Sequence, residues 1–141
     1  MIPAAFDYVR PSSVADAVSA LGAAGEDGKV LAGGQSLIPV LRLRLAYPTT
    51  VVDLGRIPEL QGVHEDGDAI VIGAMTTHHA VLHDELVRRH APLIAQATAT
   101  VADPQVRHRG TFGGALSHAD PAGDLGAVAL ATLSLHDALP I

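Results

Sequence analysis

Two glycine pairs sit among residues able to bind an anion. One is Leu31-Ala32-Gly33-Gly34-Gln35-Ser36-Leu37-Ile38-Pro39; the other, after a long interval, is Arg109-Gly110-Thr111-Phe112-Gly113-Gly114-Ala115. Before the first pair, Lys29-Val30-Leu31-Ala32 reads as a short buried strand. After it, Pro39-Val40-Leu41-Arg42-Leu43 reads as the start of a helix. Pro39 then falls in the first turn, where a missing N–H does no harm. Strand, paired glycine and helix start together bring main-chain N–H groups close to a ligand, backed by the partial positive charge of the helix. Gln35 and Ser36 add side-chain partners for phosphate oxygens. The spacing is neither the Gly-x-Gly-x-x-Gly of a Rossmann turn nor a P-loop, which needs a lysine after its last glycine; the only lysine, Lys29, precedes the pair. Triphosphate hydrolysis is disfavoured, and a pyrophosphate-bridged dinucleotide is compatible. A tight turn that merely uses glycine's positive φ would read the same way.

The second stretch repeats this logic with Thr111 as its hydroxyl and Gly113 and Gly114 as its amides. Asp124, further on, could accept hydrogen bonds from ribose or ribityl hydroxyls. Two such stretches in one short chain suit a dinucleotide held between two subdomains, although a surface loop without function has the same composition. Arg107 and Arg109 flank the second stretch, either balancing phosphate charge or lying exposed beside it. His79 and His83 are spaced i, i+4, but Ala80-Val81-Leu82 lies between them, so there is no His-Glu-x-x-His motif and a solvated helix face is the better reading. Ser117, His118 and Asp120 name the residue types of a hydrolytic triad without the nucleophile-elbow motif; Asp120 before Pro121 suits a turn. No catalytic residue and no metal ligand is expected on this chain.

Composition narrows the function classes. The 141 residues suffice for one domain or two small subdomains, and 48% are apolar. Aromatic residues are scarce (Phe6, Tyr8, Tyr47, Phe112), Trp is absent and the formal charge is −6, so nucleic-acid binding is not expected. With no cysteine, the chain cannot form a disulfide, use a thiol or ligate an iron–sulfur cluster by thiolate. The N-terminus lacks the regions of a signal peptide, and the longest apolar run is shorter than the about 20 residues that span a bilayer. These features suggest a soluble, cytoplasmic protein.

The elements that must position the glycines follow from local signals. Ser13 with Asp16 three residues on predicts an N-cap, and Val14, Ala17, Val18 and Leu21 supply the helical period, ended by Gly22 and Gly25. The strand at 29–32, the glycine turn, a helix to about Leu45 and a strand at 49–54 complete a small α/β unit. Residues 56–60 read as a linker. Residues 62–64 and 69–73 flank an Asp66-Gly67 hairpin signal. Residues 76–102 have a helical pattern interrupted at Pro92. Residues 103–124 lose periodicity and read as a long loop, and 127–135 as a last apolar helix.

The ordered set of motifs closely resembles the FAD-binding (medium) subunit of molybdenum hydroxylases of the carbon monoxide dehydrogenase and xanthine dehydrogenase type. Ala32-Gly33-Gly34-Gln35-Ser36-Leu37-Ile38-Pro39, Val71-Ile72-Gly73-Ala74-Met75-Thr76-Thr77, and Ala102-Asp103-Pro104-Gln105-Val106-Arg107 leading into Gly110-Thr111-Phe112-Gly113-Gly114 carry it, with Phe6-Asp7-Tyr8 and Arg10-Pro11 before them. It covers about residues 1–132. It implies an α+β flavoprotein fold of the vanillyl-alcohol-oxidase (PCMH) type in two subdomains, 1–57 and 58–141. It implies FAD contacts from Leu31, Ala32, Gly33, Gly34, Gln35, Ser36, Leu37 and Ile38 around the pyrophosphate. Val101, Thr111, Phe112, Gly113, Gly114, Ala115 and Asp124 are implied as further FAD contacts.

The resemblance also implies partners: a large molybdenum-binding subunit and a small iron–sulfur subunit, both carried on other chains. Electrons would pass from the clusters through FAD to an external acceptor. Ala115 stands where many relatives carry Asn, and Gln35 where His is frequent. Family members continue well past this point, so the chain is expected to be C-terminally truncated, with residues from about 133 foreign to the family. A non-redox nucleotide-binding or regulatory module using the same two glycine stretches is the alternative.

Overall fold

The computed structural model describes residues 1–138, with side chains described through Thr132. The expected foreign sequence at 133–141 falls on residues beyond those side chains. The chain divides into two compact units, Met1–Leu60 and one from Gln61 on.

The first unit is built on a three-stranded parallel sheet: β1 (Asp7–Val9), β2 (Gly28–Leu31) and β3 (Thr50–Asp53), in the order β1-β3-β2. Val51 and Val52 of β3 are both buried, as a central parallel strand requires. β1 has only three residues, all exposed, so it carries no burial pattern, and it emerges only through its pairing of Tyr8 with Val51. The crossover helix α1 (Val14–Ala24) starts as expected: Asp16 N–H donates to the Ser13 hydroxyl at 3.1 Å. It runs through Gly22 and stops at Gly25, whose N–H donates to Leu21 O. Ala17 of α1 meets Val52 and Ile57 in the core of this unit.

Helix α2 (Leu37–Arg42) is shorter than the helix expected to Leu45. Its stop is a Schellman motif without glycine. Arg44 takes φ +55, its N–H donates to Leu41 O, and Leu45 N–H donates to Val40 O, both at 3.0 Å.

The second unit opens with the hairpin β4 (Val63–Asp66) and β5 (Ala69–Ile72), in which Asp66 pairs with Ala69 across a two-residue turn. The helical stretch that follows is three helices, α3 (His78–His83), α4 (Glu85–His90) and α5 (Pro92–Ala99). Pro92 accounts for one break. Asp84 makes the other, because its carboxylate accepts from Leu86 and Val87 N–H and so begins a new helix.

Residues 103–124, expected as a loop, hold two short helices. α6 (Pro104–Arg107) has Asp103 as its cap and Pro104 at its first position, while α7 (Phe112–His118) is capped by Thr111. α8 (Leu125–Ala138) follows. Val81, Val87, Ala91, Ile94, Ala95, Phe112 and Leu125 form the core of this unit.

Candidate functional site

The first glycine stretch leaves β2 at the carboxyl edge of a parallel sheet, the side on which open α/β sheets bind ligands. Leu31 is registered with Asp53, and its carbonyl accepts from Leu54 N–H at 3.1 Å, which fixes where the turn begins. Inside the turn three carbonyls are engaged. Gly34 O accepts from Ile38 N–H at 3.1 Å, Ser36 O from Val40 N–H at 3.4 Å, and Gly33 O from the Gln35 amide at 3.2 Å. Among the described residues, the main-chain N–H groups of Ala32, Gly33, Gly34, Gln35 and Ser36 have no partner. Ser36 precedes α2 without capping it, so its hydroxyl is also open. Gly34 takes φ +75, a conformation that a Cβ would strain. Ile38 is exposed and lines a shallow apolar depression with Met1, Pro39, Arg42 and Leu43.

The second stretch is wired differently. Phe112 N–H donates to Thr76 O at 2.9 Å, Gly113 N–H to Ala74 O at 3.0 Å, and Gly114 N–H to the Thr111 hydroxyl oxygen at 3.2 Å. Together with the Thr77–Thr111 bridge and the bond from His78 N–H to Gly110 O, these lace residues 110–113 to residues 74–78. The amides of Gly113 and Gly114, read from the sequence as available to a ligand, are therefore occupied inside the chain. Gly113 has a steric reason to lack a side chain, since a Cβ there would lie 2.6 to 2.7 Å from Ala74 atoms. Phe112 is in the core, with Val101 and Ala115 packed against it. The Thr111 hydroxyl hydrogen remains able to donate.

Arg107 is not a loose counter-charge. Its Nη1 donates to Val101 O at 2.8 Å and Ala102 O at 3.0 Å, closing the end of α5 where Ala102 turns to φ +41. Asp124 is exposed at the start of α8, and its carbonyl accepts from Val128 N–H. Asp120 makes the expected turn by accepting from Ala122 N–H at 2.9 Å. His79 stacks on His108 with ring centroids 3.9 Å apart and lies 4.3 Å from His83. Among the described residues no group of three potential ligands could hold a metal ion. Sequence reasoning missed residues 74–78 as the support of the second stretch; the quoted Gly73-Ala74-Met75-Thr76-Thr77 motif was the available signal.

Two histidines beside this support give the unit a pH dependence. Burial, then the Arg107 guanidinium, holds buried His78 below the ordinary imidazole value of 6.5; desolvation, then His108, His83 and Arg107, lowers His79 as well. The unfolded chain therefore takes up these protons first. Stability present above 6.5 is lost as pH falls below it towards the folded-state values. The urea midpoint should drop as pH falls through 6.5, and His79→Gln should flatten that slope. An unchanged slope in the variant would remove His79 as a cause.

A parallel α/β unit with open main-chain donors at its carboxyl edge, joined to a helix-rich second unit, defines an α+β chain suited to a diphosphate-bearing ligand. The chain belongs to the family described as the FAD binding domain in molybdopterin dehydrogenase, which matches residues 4–135. It is 47% identical over 131 residues to the carbon monoxide dehydrogenase medium chain of Hydrogenophaga pseudoflava, covering 93% of this chain and 46% of that one. Against the medium chain of Afipia carboxidovorans the identity is 48% over 128 residues, covering 91% and 44%. A solved carbon monoxide dehydrogenase from Hydrogenophaga pseudoflava, lacking the Mo-pyranopterin moiety of its cofactor, superposes with a TM-score of 0.88 at 48% identity, covering 91% of this chain and 45% of that one. The chain thus spans a little under half the length of these relatives. Among the described residues no helix is long and apolar enough to cross a membrane.

Proposed function

We propose that this chain binds FAD and forms part of the medium subunit of a carbon monoxide dehydrogenase-type molybdenum hydroxylase. The observation that carries the reading is the row of unpartnered amides from Ala32 to Ser36. They match an uncharged-donor cradle for a diphosphate, and family membership supplies FAD as the molecule that bears it. Bound FAD supplies one- and two-electron transfer, and this chain's residues bind and orient it. Leu31, Leu37 and Ile38 flank the cradle. In the second unit the Thr111 hydroxyl and the Asp124 carboxylate are the side chains proposed to reach the cofactor, with Val101, Phe112, Gly113, Gly114 and Ala115 shaping the surface beneath them.

The fold is proposed to be of the PCMH type, with its subdomains at 1–57 and 58–141. A large molybdenum-binding subunit and a small iron–sulfur subunit are the proposed partners, in the cytoplasm, delivering electrons through FAD to an external acceptor. Without cysteine, these 141 residues offer no thiolate to a cluster, so a cluster would take its ligands from elsewhere.

The test is to titrate the purified 141-residue chain with FAD and, separately, with ADP. Quenched flavin fluorescence together with shifts of the Gly33 and Gly34 amide signals is the expected result. Binding of ADP without FAD would favour the non-redox nucleotide module, and binding of neither would overturn the reading.

A further inference from the structure

Bonds from the Gly33 and Gly34 carbonyls set peptide planes within the 32–36 turn. The place where the turn leaves the sheet is fixed at Leu31 O, and a residue outside the turn must hold that edge. The candidate is Asp53, the last residue of the central strand β3, whose side chain is only 13% exposed. Its carboxylate gathers three donors. The Tyr8 hydroxyl of β1 donates to Oδ2, Arg10 Nε lies 3.2 Å from the same oxygen, and Gly55 N–H donates to Oδ1 at 2.8 Å. The first two tie β1 to β3; the third folds the chain back as it leaves β3. On its other side Asp53 is registered with Leu31, and its neighbour Leu54 donates to Leu31 O. All three carboxyl strand ends therefore meet at one residue, and the glycine turn starts immediately after Leu31. Gly55 is part of the device, because a Cβ there would lie 3.0 Å from Asp53 Oδ1 and 3.3 Å from Arg10 Nη2.

We propose that Asp53 is a positioning residue for the 32–36 turn, locking the carboxyl edge so that the Gly33 and Gly34 amides point at the ligand diphosphate. The inference rests on the FAD reading above. It adds that a carboxylate, which itself would repel a phosphate, acts on binding through the main chain, with Arg10 and Tyr8 as its anchors. An Asp in this place without that role would stabilise the sheet and leave the turn unaffected.

The experiment uses the full chain, isotopically labelled, with FAD as the probe. Parent Gly33 and Gly34 signals that ignore FAD would sink the FAD reading and leave the question of Asp53 to the ligand-free spectra. In Asp53→Asn, the ligand-free Gly33 and Gly34 signals should move while those of α1 and of the β4–β5 hairpin stay in place. FAD affinity should fall about tenfold, equivalent to ~1.4 kcal/mol. Tyr8→Phe, which removes one donor and keeps the ion pair, should move the same two signals less far, and it carries the test if Asp53→Asn does not fold. The Tyr8 phenol offers an independent signature. Its hydrogen bond to Asp53, then its burial and the Asp53 charge, hold its pKa above 10.0 in the parent, and the ultraviolet titration should return towards that value in Asp53→Asn. Glycine signals at their parent positions, with FAD affinity unchanged in a folded variant, would overturn the proposal.

Discussion

Replacing Gly113 with alanine is expected to destabilise the second unit by about 3 kcal/mol, because overpacking against backbone leaves little room to yield. The new methyl would lie 2.6 Å from Ala74 Cβ and 2.7 Å from both Ala74 Cα and its carbonyl oxygen. A flexible side chain could move aside, but here the obstacle is the segment that accepts the Gly113 N–H. Relief would require breaking that bond, and with it the lacing of 110–113 to 74–78. A thermal melt should show the midpoint lowered by roughly 10–20 °C for a unit of this size. Gly126→Ala is the control: it lies in α8 with nothing near its missing Cβ, so it should be neutral or slightly stabilising. If Gly113→Ala melted with the parent and lost only FAD affinity, the glycine would be serving the ligand and not the packing.

Gly34→Val should produce the opposite division of effects. The residue sits at φ +75, where a side chain costs roughly 1–2 kcal/mol, and the nearest atom to an added Cβ is the flexible end of Ile38 at 2.6 Å. The first unit should therefore still fold, with a modestly lower midpoint. The turn would relax towards negative φ and swing the amides of Gly34 and Gln35 away from their shared direction. Charge-assisted hydrogen bonds contribute ~1.5–3 kcal/mol each, so FAD affinity should fall about 30-fold or more. Fluorescence titration against the parent measures this. Retained affinity would mean that the open amides of this turn do not hold the diphosphate.

These two glycines show what a linear reading can and cannot see. Both were legible as glycine beside a hydroxyl, and the same chemistry was read into both. The difference lies in whether the amides already have acceptors, and Ala74 and Thr76 are more than thirty residues from the amides they engage. No local pattern encodes that pairing. By contrast, the Ser13 cap, the hairpin at Asp66-Gly67 and the β3 strand were plain, because each depends on neighbours in sequence. Cap signals at Asp84 and at Asp103-Pro104 were equally local, yet long helical or loop-like surroundings masked them. The end of α2 was hidden for a different reason. Its left-handed residue is Arg44, and a Schellman stop advertises itself only when glycine occupies that place. The three-residue β1 has no apolar alternation to betray it, although its Tyr8 and Arg10 turn out to anchor Asp53.

The 32–36 segment presents its hydrogen-bonding capacity through peptide groups, and the only lysine lies outside it. With the donors belonging to the main chain, what this turn must keep is a backbone shape, and Gly34 at φ +75 is the position where a side chain disturbs that shape. Replacing Ala32, Gln35 or Ser36 singly should therefore weaken recognition less than replacing Gly34, even though the whole stretch as spelled is one of those that carry the family likeness.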